Sequence, residues 1–225
     1  RKEQTEPSGN TIGLDVGLKE YYTDSNGVMV ENPRFLRKGE KVLKRCQRRV
    51  SRKVKSSKNR GKARQLLGKR HLKISRQRKD HAIKLARCVV QSNDLIAYED
   101  LRIKNMVKNH CLAKSINDAS WYQFRIWIEY FAKVFGKVTV AVNPQYTSQE
   151  CSSCGAIVKK TLSTRTHVCQ CGCTLDRDFN AARNILSRGL ATVGHTGSFA
   201  LDASNALGDE SSTFAGEILH QQVMS

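Results

Sequence analysis

Short apolar runs at several places along the chain predict β-strands. In residues 11–18, apolar side chains alternate with Asp15 and two glycines, which gives this strand one apolar face and one small or acidic face. Residues 20–30 predict a hairpin that turns at Asn26-Gly27, a dipeptide typical of two-residue turns. Residues 94–101 and 137–142 predict two further apolar strands, and the hydrophobic run of the first of these implies burial on both of its faces.

Helical periodicity separates these strands. Residues 34–93 predict basic helices with a break near residues 56–61, because apolar residues such as Leu66, Ile74 and Val89 recur at helical spacing. Residues 115–135 predict an aromatic-rich helix, and residues 178–188 predict a last helix. Residues 191–225 lack Lys and Arg and predict a poorly ordered tail.

The aromatic residues of this region have two interpretations. Those of the helix recur at helical spacing, which favours core packing over base stacking; they are Trp121, Tyr122, Phe124 and Trp127. Tyr146 lies outside that helix and ahead of a cysteine pair, and it is the better candidate for contact with a ligand.

The order of elements predicts an α/β protein with a ribonuclease-H-like mixed sheet, flanking helices, a basic helical insertion and an inserted zinc ribbon. The expected segments are 1–33 (strand and hairpin), 34–93 (basic helices), 94–146 (second part of the sheet), 147–175 (zinc ribbon), 176–190 (final helix) and 191–225 (disordered tail).

The positive charge is concentrated in one segment. The chain has a formal net charge of +19, and residues 34–87 contain 23 Lys or Arg but only 2 Asp or Glu. Such a segment is stabilised by a polyanion, so a nucleic-acid backbone is the expected partner, with a merely solvated charged face as the alternative. The candidate contacts are Lys44, Arg45, Arg48, Arg49, Arg52, Lys53, Arg76, Arg78 and Lys79.

Five of the eight cysteines lie within residues 151–173. A C-x₂-C pair, fourteen residues and a C-x-C pair supply four thiolates, which suit tetrahedral Zn²⁺. The expected ligands are Cys151, Cys154, Cys169 and Cys171. Cys173 remains an alternative fourth ligand and His167 a weaker one; ordinary buried thiols and disulfides are less favoured. Because no signal-like or membrane-spanning stretch is visible, we expect a reducing cytoplasm and no membrane partner.

Three acidic residues from separate elements are candidate catalytic groups. Asp15 lies inside the first strand, Glu99 ends the second apolar strand, and Asp178 opens the last helix. Asp100 is an alternative to Glu99, and helix capping is the alternative role for Asp178. Carboxylates gathered from distant sequence need cations, so we expect two Mg²⁺ or Mn²⁺ ions and in-line phosphodiester hydrolysis.

The chain resembles the TnpB (OrfB) proteins of insertion sequences, relatives of the type V CRISPR nucleases, over residues 11–195. The motifs that carry the resemblance are Gly13-Leu-Asp15-Val-Gly-Leu18, Tyr98-Glu99-Asp100-Leu101, Asp118-Ala-Ser-Trp121, Tyr146-Thr-Ser-Gln-Glu-Cys151-Ser-Ser-Cys154-Gly155, and Cys171-Gly172 leading into Asp176-Arg-Asp178-Phe-Asn180-Ala-Ala182. The resemblance implies a RuvC-type nuclease with Asp15, Glu99 and Asp178 as its metal-binding triad. It also implies a DNA target, a guide RNA for the full-length protein, and a prokaryotic, nucleoid-associated location.

Family members carry a barrel-like domain and a helical segment before the first aspartate of the triad, whereas fourteen residues precede Asp15 here. We therefore expect a C-terminal portion of a longer protein. Two alternative functions remain: a transposase that performs DNA strand transfer with the same carboxylates, and a truncated, non-catalytic nucleic-acid-binding zinc-ribbon protein.

Overall fold

The computed structural model describes residues 6–161 and 163–195. Its main sheet has five strands, β1 (Thr11–Val16), β2 (Glu20–Asp24), β3 (Met29–Glu31), β4 (Leu95–Glu99) and β5 (Val138–Val142). The strand order is β3-β2-β1-β4-β5, with β1, β4 and β5 parallel and the β1-β2-β3 meander antiparallel. The predicted mixed sheet is confirmed.

The β2-β3 hairpin turns where the sequence predicts. Oδ1 of Asp24 accepts hydrogen bonds from the backbone N–H groups of Asn26 and Val28, both at 2.9 Å. Gly27 has φ +87°, a conformation that glycine adopts without strain. Local side-chain chemistry therefore fixes this turn.

Two basic helices follow the hairpin, α1 (Phe35–Ser51) and α2 (Lys58–Ser92). The break between them covers residues 52–57, somewhat earlier than the predicted 56–61, and Gly61 lies inside α2. The reason is a helix cap: Oγ of Ser57 accepts a hydrogen bond from the backbone N–H of Arg60 at 3.1 Å.

The single helix predicted over residues 115–135 is wrong. The structure has α3 (Ile103–Met106), α4 (His110–Ala119) and α5 (Trp121–Phe135). Ser120 separates α4 from α5 with φ 57° and ψ 38°, a left-handed conformation that ends one helix and starts the next in a new direction.

Helices cover both faces of the sheet. One face packs against α2 and α5 in a core that includes Leu14, Tyr98 and Phe124. The other face packs against α6 (Arg177–His195), where Ala97 and Ile185 are fully buried. The alternation predicted for the first strand is confirmed, since Ile12 and Leu14 belong to the first core and Gly13, between them, faces α6.

The last part of the described chain differs from expectation in two ways. A small hairpin of β6 (Thr166–Val168) and β7 (Thr174–Asp176) was not predicted, and α6 runs past residue 188 to His195. Helix α6 thus enters the segment 191–225 predicted as a disordered tail, whose residues 196–225 lie outside the described residues. Within the described ranges, no helix is both long and apolar enough to cross a membrane.

Candidate active site and metal centre

Asp15 and Glu99 lie side by side because their strands pair in parallel. Leu14 of β1 is in register with Tyr98 of β4, so the next residue of each strand is Asp15 and Glu99. Residues in register on neighbouring strands point to the same face and are about 5 Å apart. Both side chains therefore share the face that α6 covers.

Helix α6 brings Asp178 to the same place. A Cβ at Gly13 would overlap the carbonyl oxygen of Ala182 and lie 2.7 Å from the nitrogen of Leu186, so the helix backbone rests directly on β1. Asp178 precedes Ala182 by one helical turn, about 6 Å. Asp15 follows Gly13 by two strand residues, about 6.6 Å. The two steps have similar lengths, and the charge of Asp178 raises the pKa of Asp15, so the two carboxylates lie near each other.

Asp178 does not cap the helix, contrary to the alternative role considered for it. Oδ1 of Asp176 accepts hydrogen bonds from the backbone N–H groups of Asp178 (2.8 Å) and Phe179 (3.3 Å), so Asp176 is the N-cap. The Asp178 carboxylate instead pairs with two arginines, Arg177 at 3.3 Å and Arg165 at 3.5 Å.

The carboxylates influence one another electrostatically. Burial raises the pKa of Asp15 well above its usual value, and the negative charges of Glu99 and Asp178 raise it further, while Arg177 opposes them. Burial also raises the pKa of Glu99, against the lowering effects of a hydrogen bond from Thr147 and the charge of Arg188. Concentrated negative charge in a partly dry site is what a bound cation would relieve.

Glu99 and its neighbour Asp100 face different surroundings. Oε1 of Glu99 accepts a hydrogen bond of 2.5 Å from the hydroxyl of Thr147. Asp100 instead forms a 2.5 Å ion pair with Arg125, which also pairs with Glu129 at 2.8 Å. The structure thus places Glu99 beside Asp15 and directs Asp100 toward α5.

Three polar residues of α6 hold the loop that leads to the cysteines, and sequence reasoning missed their role. Nδ2 of Asn180 and of Asn184 each donate to the carbonyl oxygen of Glu150 at 2.7 Å. Arg188 donates to the carbonyl oxygens of residues 143 and 145 and pairs with the Glu150 carboxylate at 2.6 Å. Their spacing of four residues was the available signal, since it puts all three on one helix face.

Four cysteines come together next to this loop. The Sγ atoms of Cys151, Cys154, Cys169 and Cys171 all lie within 4.8 Å of one another, so this group could hold a metal ion. Cys151 and Cys171 are 3.7 Å apart, and Cys154 and Cys169 are 3.6 Å apart. Zn–S bonds of about 2.3 Å give a tetrahedron with edges of about 3.8 Å, so the arrangement fits a tetrahedral thiolate site.

The two alternative ligands take other roles. Cys173 is outside the group, and its carbonyl oxygen accepts the N–H of Cys169 at 2.9 Å, which closes the turn. His167 is fully buried, and its Nδ1 contacts Nζ of Lys160.

Burial works against ionisation of the Cys151 thiol, but hydrogen bonds from the N–H groups of Ser153 and Cys154 lower its pKa to about 5.

The three carboxylates are gathered less tightly than the cysteines. Within residues 6–161 and 163–195, only the cysteine group brings three or more potential ligand atoms close enough together to hold one metal ion. A pair of metal ions about 3.5–4 Å apart distributes its ligands over a wider space than a single ion does. The spread of the carboxylates is therefore compatible with a two-ion site.

Most of the predicted nucleic-acid contacts are exposed on α1, α2 and the loop between them. The exposed residues are Lys44, Arg45, Arg48, Arg49, Arg52, Lys53, Arg76 and Lys79. Lys44 pairs with Glu40 at 2.8 Å. Arg78 is different, because it is half-buried and donates to the carbonyl oxygen of Asn117 at 2.6 Å, a contact that joins α2 to α4.

Asp118 has a structural role that its motif did not reveal. It is buried on α4, and its carboxylate accepts the backbone N–H groups of Leu36 (2.7 Å) and Arg37 (3.1 Å). Arg34, the residue before α1, makes no side-chain cap of its own. Asp118 therefore caps α1 from another helix and fixes the basic segment to the body of the protein.

The aromatic residues divide between core and surface. Trp121 and Phe124 are buried, as core packing predicts, and Trp127 is half-buried. Tyr122 and Tyr146 are exposed at 56% and 51% and remain available to a ligand.

Two family models match the chain. The model OrfB_IS605, described as "Probable transposase", matches residues 1–110, and the Cas12f1-like TNB domain matches residues 121–185. The cryo-EM structure of the Cas12f1-sgRNA-target DNA complex shares the fold, with a TM-score of 0.57, 17% identity, and coverage of 82% of this chain and 51% of that chain.

Two curated relatives are similar in sequence. A Streptomyces pristinaespiralis protein named "Putative RNA-guided DNA endonuclease" is 39% identical over 80% of this chain and 45% of its own length. "Putative RNA-guided DNA endonuclease InsQ" of Escherichia coli K12 is 36% identical over 83% of this chain and 51% of its own length. The chain thus spans about half the length of these relatives. The resemblance drawn from the motifs is confirmed: the chain belongs to the OrfB (TnpB) family.

Proposed function

We propose that the chain is the nuclease part of a transposon-encoded, RNA-guided DNA endonuclease. Its RuvC-like sheet would hydrolyse phosphodiester bonds with Asp15, Glu99 and Asp178 as ligands of two Mg²⁺ or Mn²⁺ ions. On this proposal, residues 1–33, 94–146 and 176–190 form the nuclease, residues 34–93 the basic helical segment, and residues 147–175 the zinc ribbon.

The observation that carries the proposal is the convergence of three carboxylates from separate elements. β1 supplies Asp15, β4 supplies Glu99 in the neighbouring register position, and α6 supplies Asp178 from one turn before its contact with Gly13. Burial and mutual repulsion raise the pKa of Asp15. A folded protein keeps such an arrangement at a cost in stability, and cation binding is the usual compensation.

The carboxylates would hold the ions at one end of β1 and β4. Bound ions would supply an activated water and stabilise the leaving 3′ oxygen. A cation bound to Asp178 would replace Arg165 and Arg177 as the partners of its carboxylate. Both guanidinium groups lie at the proposed site because they pair with Asp178.

The cysteine group would hold a structural Zn²⁺ ion. The carbonyl oxygen of Glu150, which immediately precedes Cys151, accepts hydrogen bonds from Asn180 and Asn184. The backbone N–H of Ser152 donates to Oδ1 of Asn180 at 3.0 Å. The zinc ribbon and the catalytic helix would therefore move as one unit.

The exposed basic surface of α1 and α2 would contact nucleic-acid backbone. The named activity of the relatives includes both a guide RNA and a DNA target. We propose that the protein containing this chain also binds a guide RNA and a DNA target. We expect it to work in the cytoplasm beside the chromosome.

The test is metal-dependent cleavage of DNA. The purified chain, loaded with zinc, is incubated with end-labelled single-stranded DNA in Mg²⁺, Mn²⁺ or EDTA, because a single strand requires no unwinding. We expect nicking in either ion, and we expect Asp15→Asn and Asp178→Asn to reduce it to the level found with EDTA. Asp80→Asn is the control, since Asp80 is an exposed residue of α2 that pairs with Lys84 at 2.7 Å.

Two results would contradict the proposal. Joined products formed only with a free 3′-OH donor would indicate strand transfer. Metal-independent binding without any cut, both in the chain and in the product of the whole gene purified with its RNA, would indicate a binding module. Sequencing of the RNA that accompanies the gene product tests guidance separately.

A further inference from the structure

Thr147 has an unusual environment for a threonine in a loop. It is 4% exposed, although it lies between the exposed residue Tyr146 and the cysteine segment. Its hydroxyl donates to Oε1 of Glu99 at 2.5 Å, and the carbonyl oxygen of Pro144 lies 3.1 Å away. A hydroxyl has a single proton, and a hydrogen bond to a carboxylate is the stronger of the two choices.

The Thr147 backbone is fixed by the same helix that carries Asp178. Nδ2 of Asn184, a residue 5% exposed, donates to the Thr147 carbonyl oxygen at 2.8 Å. Arg188 holds the preceding residues of the loop through the carbonyl oxygens of Asn143 and Gln145. Helix α6 therefore sets both the position of Asp178 and the position of the hydroxyl that contacts Glu99.

We infer that Thr147 is a positioning residue, whose hydroxyl fixes the Glu99 carboxylate in the orientation that binds metal. Glu99 is the last residue of its strand. The hydroxyl engages one oxygen and leaves the other for a cation. This inference rests on the proposed nuclease function and adds to it a residue outside the carboxylate triad.

Metal affinity provides a test that does not require cleavage. The zinc-loaded chain is titrated with Mn²⁺, and free Mn²⁺ is measured by electron paramagnetic resonance. Thr147→Val keeps the side-chain shape and removes the hydroxyl, and we expect the apparent Kd to rise by about tenfold or more, as is typical when a partner of a metal ligand is lost. Thr147→Ser keeps the hydroxyl and should stay within about twofold of the wild type.

A double-mutant cycle separates positioning from a general structural effect. In a Glu99→Gln background, Thr147→Val should cause no further change in Mn²⁺ affinity, because the residue through which Thr147 acts is already altered. Thr139→Val, at a half-buried threonine of β5, is the matched control and should bind like the wild type. Zinc content and thermal midpoint are measured for every variant.

Three outcomes would overturn the inference. An unchanged Kd in Thr147→Val, a loss that Thr147→Ser fails to restore, or equal losses in the wild-type and Glu99→Gln backgrounds would each show that the hydroxyl does not act through Glu99. If wild-type protein bound no Mn²⁺ in a manner that depends on Asp15 and Glu99, the proposed two-ion site itself would fall together with this inference.

Discussion

Gly13 and Ala182 lie in backbone contact, so that a Cβ on Gly13 would overlap the Ala182 carbonyl oxygen. This contact sets the distance between β1 and α6 and, through it, the approach of Asp178 to Asp15. The catalytic geometry proposed here therefore depends on a residue that takes no part in the chemistry.

Gly13→Ala should destabilise the fold. Its methyl group would also lie 2.8 Å from Cβ of Leu186, and overpacking of this kind costs about 1–3 kcal/mol. Urea denaturation measures the change in free energy of unfolding. Gly68→Ala is the control, since a Cβ there meets nothing within 4 Å inside α2, and it should stabilise the helix by about 1 kcal/mol. Equal stability of the Gly13→Ala and wild-type proteins would refute the close contact.

Local patterns predicted the parts of the fold that local chemistry determines. The alternation of residues 11–18 identified β1, and Asn26-Gly27 identified the hairpin turn, because each depends on neighbouring residues only. The break at Ser120 was missed because apolar periodicity does not reveal a single residue in the left-handed conformation.

Long-range contacts explain what the sequence could not predict at the site. Asp118 caps a helix that begins more than eighty residues earlier, and Thr147 reaches Glu99 from another element, so neither role has a local signature. The four grouped cysteines were predicted together because their short spacings encode the turns directly. Only the folded geometry distinguishes Cys171 from Cys173.

Loss of Cys171 should remove the metal, whereas loss of Cys173 should not. Cys171 contributes its Sγ to the group, but Cys173 contributes a backbone carbonyl that any residue supplies. Zinc content, measured by mass spectrometry, should stay at about one ion per chain in Cys173→Ser and should be well below one ion per chain in Cys171→Ser. The reverse order would mean that the fourth ligand is Cys173.

Neutralising the exposed arginines of α1 should weaken nucleic-acid binding and its dependence on salt. Arg48→Gln with Arg49→Gln removes two exposed charges, and the slope of log affinity against log salt should become less negative by about one to two units. Fluorescence anisotropy with labelled RNA and DNA gives this slope. Lys133→Gln, exposed on α5, is the control and should keep the wild-type slope.

Asp94 should make the fold sensitive to acid. A hydrogen bond from Lys137 lowers the pKa of Asp94 to about 2, and the backbone N–H groups of Ser8 and Gly9 act in the same direction. The folded pKa is thus below the unfolded value of about 4, so this contribution to stability is complete above that pH and is lost as the pH falls toward 2.

Asp94→Asn should therefore reduce stability at neutral pH and lose less stability than the wild type as the pH falls from about 5 to 2. Chemical denaturation across this range measures both effects. Asp80→Asn, at an exposed residue, should follow the wild-type curve. Parallel curves for Asp94→Asn and the wild type would show that this carboxylate has no special linkage to folding.

The neighbouring carboxylates Glu99 and Asp100 give the most direct test of the proposed catalytic centre. They are adjacent in sequence, but Glu99 lies beside Asp15 and Asp100 pairs with Arg125. In the Mg²⁺-dependent nicking assay, we expect Glu99→Gln to reduce the rate to the level measured with EDTA and Asp100→Asn to retain a rate near that of the wild type. Full activity in Glu99→Gln, or loss of activity in Asp100→Asn alone, would contradict the assignment of Glu99 to the metal-binding triad.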